Sequence, residues 1–345
     1  MKTSVRERIL AMDSRSRGIQ QFDAASGAGM AWLSSQLELI NPNPIEPLQA
    51  STHARDIPIR TGGGYPEYLS AWATNYASSG GGFYGLQGTN NTEIAEAQFD
   101  AQKGIWPTFL WQLGFTVTHL DMKKWEYADK SGQRAPFTWQ QLFNNSVETV
   151  WQKALDYVTY RGFLTSPGLI NTPGVPAVVA ASGGTNTTWA SKTPTQILAD
   201  VNFAINLCIE NSGYSTQNGC PTDMLVPYSQ WALLTQPMTV GGVPVAQSTL
   251  EYIEKYNVAA ANGVKFKISQ LPNDWCSGQG IGGLDRSLVY RKKDDCVLLQ
   301  IPQPKEKVMT VPTTDKGGAY QTLYSGCIGS VQYYRTTNSL YLDGI

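Results

Sequence analysis

Between residues 57 and 121 the chain holds a long stretch that cannot build a core of its own. Two strand-like flanks bound it. The first, DIPIRT, sets Ile57 and Ile59 on one side, and the second, residues 115–121 (FTVTHLD), alternates Phe115 and Val117 with polar neighbours. The middle carries Gly62-Gly63-Gly64 and Ser78-Ser79-Gly80-Gly81-Gly82 and is poorly patterned. A connection this long is functional or disordered. Trp72, Tyr76, Phe83 and Tyr84 lie within it and argue against plain disorder. A segment with so little core orders only by packing on another chain, and these four aromatics are its candidate anchors.

The flanking regions read more regularly. Residues 1–55 form an arm, with a short helical stretch near residues 5–12 and three prolines in NPNPIEPLQAS that favour extended chain. From Trp139 to Tyr160 the apolar positions Trp139, Leu142, Phe143, Val147, Val150, Trp151, Ala154, Leu155 and Val158 trace one helical face. That helix is roughly 33 Å long at 1.5 Å per residue, and Gly162 and Pro167 end it. A second helix opens on Thr193 and Pro194 and buries Ile197, Leu198, Val201, Ala204, Ile205, Cys208 and Ile209. Met224 to Val226 reads as a short strand, followed by a short helix over residues 228–234. Ser248 and Glu251 make a capping box for a third helix. Strands then dominate. Residues 287–291 and 296–301 flank the polar residues 292–295 and suggest a hairpin, and residues 319–334 read as strand. The class is α+β.

Composition narrows the function. Of 345 residues, 41% are apolar, so a sizeable core is possible, but only 15% are charged and the net charge is -1. Typical domains carry about 25% charge. A dedicated nucleic-acid binder needs a basic excess that is missing. Scarce charge with abundant aromatics suits a surface covered by other protein. No apolar run is long enough to span a membrane, and MKTSVRERIL lacks the apolar core of a signal peptide, so synthesis in a cytoplasm is expected. The five cysteines, an odd number without Cys-x-x-Cys spacing, point to reduced, buried thiols.

Catalytic signatures do not assemble. His53 in the arm reads as a surface histidine, and His119 as a partly buried one on a strand; neither falls in a metal-binding pattern. GGGYPEYLS lacks the Lys-Ser/Thr ending of a phosphate loop, and Gly80, Gly81, Gly82, Gly85 and Gly88 follow no buried strand. No Gly-x-Ser-x-Gly elbow occurs. The carboxylate pairs Asp294 with Asp295 and Glu93 with Glu96 read as solvated. No catalytic, cofactor-binding or metal-binding residue is assigned.

The order of these elements resembles the major capsid proteins of tailed phages, the Hong Kong 97-type fold also used by encapsulin shells. The stretches that carry the resemblance are GFLTSPGLINTPGVP after the long helix, PTDMLVPYSQWALL, GLDRSLVYRKKDDCVLLQIPQP and the terminal YLDGI, across roughly residues 45–345. The resemblance implies an arm (1–55), an extended loop with its flanking strands (56–122), a peripheral domain (123–175 and 305–345) with the spine helix 139–160, and an axial domain (176–304). It implies pentamers and hexamers in an icosahedral virion shell around double-stranded DNA, with no membrane. The DNA would be contacted weakly and without sequence preference. Portal, separate scaffold or cementing proteins are implied partners. Some relatives join subunits by an isopeptide bond from a loop lysine. Here the one lysine between Arg60 and Leu120 is Lys103, expected near the loop base, so no such cross-link is expected. Two other readings compete: an encapsulin-type nanocompartment shell, and a soluble hydrolase or carbohydrate-binding protein with an aromatic groove.

Overall fold

A computed structural model describes residues 51–78, 97–130, 139–180, 188–240, 243–314 and 318–345. The described chain opens with a short helix α1 (His53–Asp56) and strands β1 (Ile59–Thr61), β2 (Tyr68–Ser78) and β3 (Ala97–Thr118). Helices α2 (His119–Lys130) and α3 (Trp139–Tyr160) follow, then β4 (Ala177–Val179) and α4 (Pro194–Asn211). Next come β5 (Asp223–Pro227), α5 (Tyr228–Leu234), the hairpin β6 (Pro237–Val240) and β7 (Val243–Ser248), and α6 (Thr249–Lys255). The chain continues through α7 (Val258–Ala261), β8 (Lys267–Leu271), β9 (Arg286–Tyr290), β10 (Val297–Ile301), β11 (Gln303–Thr313), β12 (Ala319–Gly329), β13 (Val331–Tyr333) and β14 (Ser339–Asp343).

Among the described residues three sheets have three or more strands: β11-β12-β3-β2, β1-β10-β13 and β8-β5-β9-β14-β4. Helix α3 lies against the four-stranded sheet. Its stripe buries Val147, Trp151, Leu155, Val158 and Tyr160, while Val150 turns outward. Trp151 meets Trp111 edge-on at 4.9 Å between ring centres, and Phe143 stacks on Phe115 at 4.6 Å. One apolar core runs from α3 through the three-stranded sheet to Leu225, Leu288 and Tyr341 of the five-stranded sheet. A second core gathers α4 with Met224, Val226, Ile253, Phe266 and Leu340.

Helix α4 begins where its cap directs. Thr193 Oγ1 accepts from the Gln196 amide at 3.4 Å, and the Gln196 side chain accepts from the Thr193 amide at 2.8 Å. Both bonds satisfy amides that the first turn leaves unpaired. Thr193→Ala is expected to cost about 1 kcal/mol, measurable as a lower urea midpoint with unchanged helix content.

Five expectations are corrected. The segment between the flanks is a long two-stranded ribbon over its described part. The second flank is strand only to Thr118; His119 starts α2 and is exposed. Residues 286–290 and 297–301 form no hairpin, because β9 pairs with β5 and β14 while β10 pairs with β1 and β13. Residues 305–345 do not return to a single sheet: β11 and β12 join β3, whereas β14 inserts between β9 and β4. The strand foreseen over 319–334 breaks at Ser330 into β12 and β13.

All five cysteines are free and buried. Burial pushes the Cys208 and Cys276 thiols up to about 12. Such groups stabilise the fold below the ordinary thiol value of 9.0, and that contribution is lost as pH rises toward about 12. A thiol reagent at pH 8 is expected to label the native protein slowly and all five cysteines after denaturation. Rapid native labelling of Cys208 would contradict its burial.

Candidate inter-subunit surface

Strand β3 is a single 22-residue strand with two partners. Residues 108–118 pair with β12, and residues 97–107 pair with β2. The second half is a ribbon of eleven rungs, from Tyr68↔Pro107 to Ser78↔Ala97. It spans roughly 35 Å at about 3.3 Å per residue.

The period of two sorts its side chains. Tyr68, Trp72 and Tyr76 share one face with their cross-strand partners Pro107, Lys103 and Phe99, and Ile105 lies opposite Ser70 on the same face. Tyr68 is 63% exposed, Trp72 68%, Tyr76 78%, Phe99 72% and Ile105 59%. The Lys103 ammonium lies 6.0 Å from the centre of the Trp72 ring. The opposite face carries Ala71, Ala73, Asp100 and Gln102, and near the root Leu69 is buried and Trp106 packs edge-on against Tyr334. One face is therefore large and apolar, the other small and polar. A two-stranded ribbon is marginal in water by itself, and a contiguous exposed apolar patch marks an interaction surface.

Of the four predicted anchors, Trp72 and Tyr76 stand on this one face. Phe83 and Tyr84 lie outside the described residues. Tyr68, Phe99 and Ile105 belong to the same face and were missed. The signal for Tyr68 is readable in YLSAWATNY, where aromatics recur every fourth residue with Ser70 and Thr74 between. Lys103 sits on the fifth of the eleven described rungs, counted from the root.

A second apolar area lies on the side of the four-stranded sheet that faces away from α3. The residues toward the helix are Trp111 and Phe115, so their strand neighbour Leu110, 62% exposed, points the other way. Met309 and Val311 share that outer face through their rungs with Leu323 and Gln321.

The polar cluster at the base of the arm is structural. His53 is buried, contrary to its reading as a surface residue. Its Nδ1 lies 2.8 Å from Asp156 Oδ1, which also accepts from the amides of Thr52 and His53 at 3.3 and 3.1 Å. The Tyr160 hydroxyl donates to Asp56 Oδ2 at 2.6 Å, and Arg55 binds the same carboxylate through two nitrogens. Burial, then the Asp56 carboxylate, pushes the Tyr160 phenol above its ordinary range. These groups satisfy one another and tie residues 51–56 to α3. Asp156→Ala strands the Thr52 and His53 amides and leaves the His53 ring only Ser51 Oγ, at 2.8 Å, and is expected to cost about 2–3 kcal/mol in unfolding free energy, with faster amide exchange at residues 51–57. A nearby groove of about 340 Å³, lined by Thr52, Tyr228, Gln270, Pro272, Asn273 and Asp274, brings one carboxylate and no nucleophile with a base. Among the described residues no three His, Cys, Asp or Glu side chains gather as metal ligands.

The backbone as a whole resembles solved shell subunits. It matches the capsid of Myoviridae phage XM1 with a TM-score of 0.63 at 13% identity, over 90% of this chain and 98% of that one. The chain from Microbacterium phage Oxtober96 gives 0.60 at 11% identity, over 92% and 99%. The capsid of a native GTA particle gives 0.59 at 10% identity, over 93% and 99%. At such identities the likeness is one of fold. No curated protein matches the sequence. The sequence profile of the family described as major capsid protein matches residues 85–345, about three quarters of the chain. The fold and this match agree with the ribbon's exposed face, and the chain belongs to the major capsid protein family.

Proposed function

We propose that this chain forms the icosahedral shell of a tailed phage, assembling as pentamers and hexamers around double-stranded DNA. The observation that carries the reading is the apolar ribbon face of Tyr68, Trp72, Tyr76, Phe99 and Ile105, which no other described residue of its own chain covers. A neighbouring copy is the natural cover. In a closed shell every subunit gives one such ribbon and receives another, so stability is spread over many modest contacts. The outer sheet face with Leu110, Met309 and Val311 is of the same apolar character.

In this reading residues 1–55 are the arm and 56–122 the extended loop that reaches over the neighbour. Residues 123–175 with β11 and β12 make the peripheral domain. Residues 176–304, joined by β14, make the axial domain that meets its copies around the five- and six-fold centres. The near-zero net charge of -1 suits an inner wall that holds DNA without binding it tightly. A portal, a separate scaffold and a cementing protein are compatible partners.

Lys103 stands beside Trp72 on the aromatic face, and in this reading the shell is held without covalent bonds. Boiled particles are expected to run as a single band in denaturing gels; ladders would contradict this. The role itself is tested by size-exclusion chromatography and negative-stain imaging of the expressed chain. Megadalton particles or rings of five and six subunits are expected. A stable monomer would overturn the reading, and a protein cargo in place of DNA in native particles would favour a cellular compartment.

A further inference from the structure

The ribbon is rooted in two different sheets. Its strand β3 continues without a break into the four-stranded sheet. Its strand β2 instead follows β1, which pairs with β10 in the three-stranded sheet. Six residues, GGGYPE from Gly62 to Glu67, join the two. Any change in the angle between ribbon and three-stranded sheet must be absorbed there.

The linker is built for such a setting. Gly62, Gly63 and Gly64 have φ of 108°, 129° and 74°, a run that side chains disfavour. The amides of Gly62 and Gly64 donate to the carbonyls of Ile301 and Pro302 at 3.1 and 3.2 Å, so the turn hugs the junction of β10 and β11. Tyr65, half-exposed, then crosses to the outer sheet face. Its hydroxyl donates to Glu306 Oε1 at 2.9 Å and lies 2.7 Å from Ser325 Oγ. Gln303 steadies the other carboxylate oxygen at 3.0 Å. On the far side of the elbow, the Thr108 amide donates to the Glu67 carbonyl at 3.1 Å.

From this geometry we infer that residues 62–65 are the elbow that sets the ribbon's direction, with Tyr65 as its positioning residue through Glu306 and Ser325. The inference rests on the ribbon being the inter-subunit element. A ribbon roughly 35 Å long turns a small change at its root into a displacement of several ångströms at its far end. The elbow therefore governs where the apolar face lands on the next subunit, and through it the curvature of the shell.

The test uses the full chain in two states. In unassembled subunits, Tyr65→Phe keeps the ring and removes both hydroxyl contacts. Hydrogen exchange of a peptide covering residues 65–73 is expected to rise about tenfold, the loss of a hydrogen bond to a charged acceptor. Glu306→Gln, which keeps one acceptor oxygen but loses the charge, is expected to raise exchange less than Tyr65→Phe does. In particles imaged by cryo-electron microscopy, Tyr65→Phe and Gly63→Ala are expected to broaden the distribution of diameters. Unchanged exchange in Tyr65→Phe overturns the elbow, and so does faster exchange with uniform diameters. Failure of the parent chain to form particles would instead strike the shell reading, with the exchange experiment still deciding whether Tyr65 holds the ribbon.

Discussion

Replacing Trp72 and Tyr76 together by serine is expected to leave a folded subunit that no longer closes into particles. Both side chains are mostly exposed in the isolated chain, 68% and 78%, so their loss removes little that the fold itself uses. Surface substitutions of this kind change stability by about 0.5 kcal/mol or less. Against a neighbour the same two rings would be central apolar anchors, each worth about 2 kcal/mol or more when truncated. Two of them amount to roughly 4 kcal/mol per contact, close to a thousandfold in association. The loss recurs at every ribbon of the shell. The expected readings are an unchanged melting temperature and far-ultraviolet dichroism, with elution shifted from the void volume to single subunits or rings. Paired loss of melting temperature and assembly would mean that the ribbon serves the subunit's own fold.

Trp151→Ala is expected to show the opposite pattern, a large loss of fold stability. Trp151 is 4% exposed on α3 and sits edge-on to Trp111 of β3. A Cβ added at Gly326 would lie 3.0 Å from its ring, so β12 is moulded around it. Truncation leaves a cavity between helix and sheet where the ribbon's own strand is anchored, at a cost of about 3–5 kcal/mol. That is a large part of the roughly 5–15 kcal/mol that holds a domain together. Denaturant unfolding should show the shift. A loss below about 1 kcal/mol would mean that helix and sheet do not depend on this contact.

The elements whose cause is local were legible. Helix α3 shows its stripe and its Gly162 stop, α4 its Thr193–Gln196 cap, and α5 begins and ends where its residues suggest. Elements whose cause is a distant partner were not. Strands β9 and β10 are largely buried on both faces, so no alternation says which sheet each joins, and their partners β14, β13 and β1 lie far along the chain. His53 looks like a surface residue until Asp156, 103 residues away, is seen beside it. His119 was assigned to a strand although Thr118 caps the helix that follows, its Oγ1 accepting from the Asp121 amide at 3.2 Å. At the candidate surface, the glycine runs drew attention from the alternation of Tyr68, Trp72 and Tyr76. Trp72 and Tyr76 could be singled out as aromatics in a segment without a core. That they share a face with Phe99 and Ile105 needed the register of β2 against β3.

Solvent access at Trp72 and Tyr76 is the most direct measure of whether a sister subunit lies over the ribbon. Hydroxyl-radical footprinting read by mass spectrometry compares the two rings in free subunits and in closed particles. Protection of both by about tenfold in particles is expected, since a covered apolar anchor is removed from water, while exposed Tyr214, outside the ribbon, serves as a reference. Equal oxidation of Trp72 and Tyr76 in the two states would leave the ribbon uncovered in the shell and contradict the account.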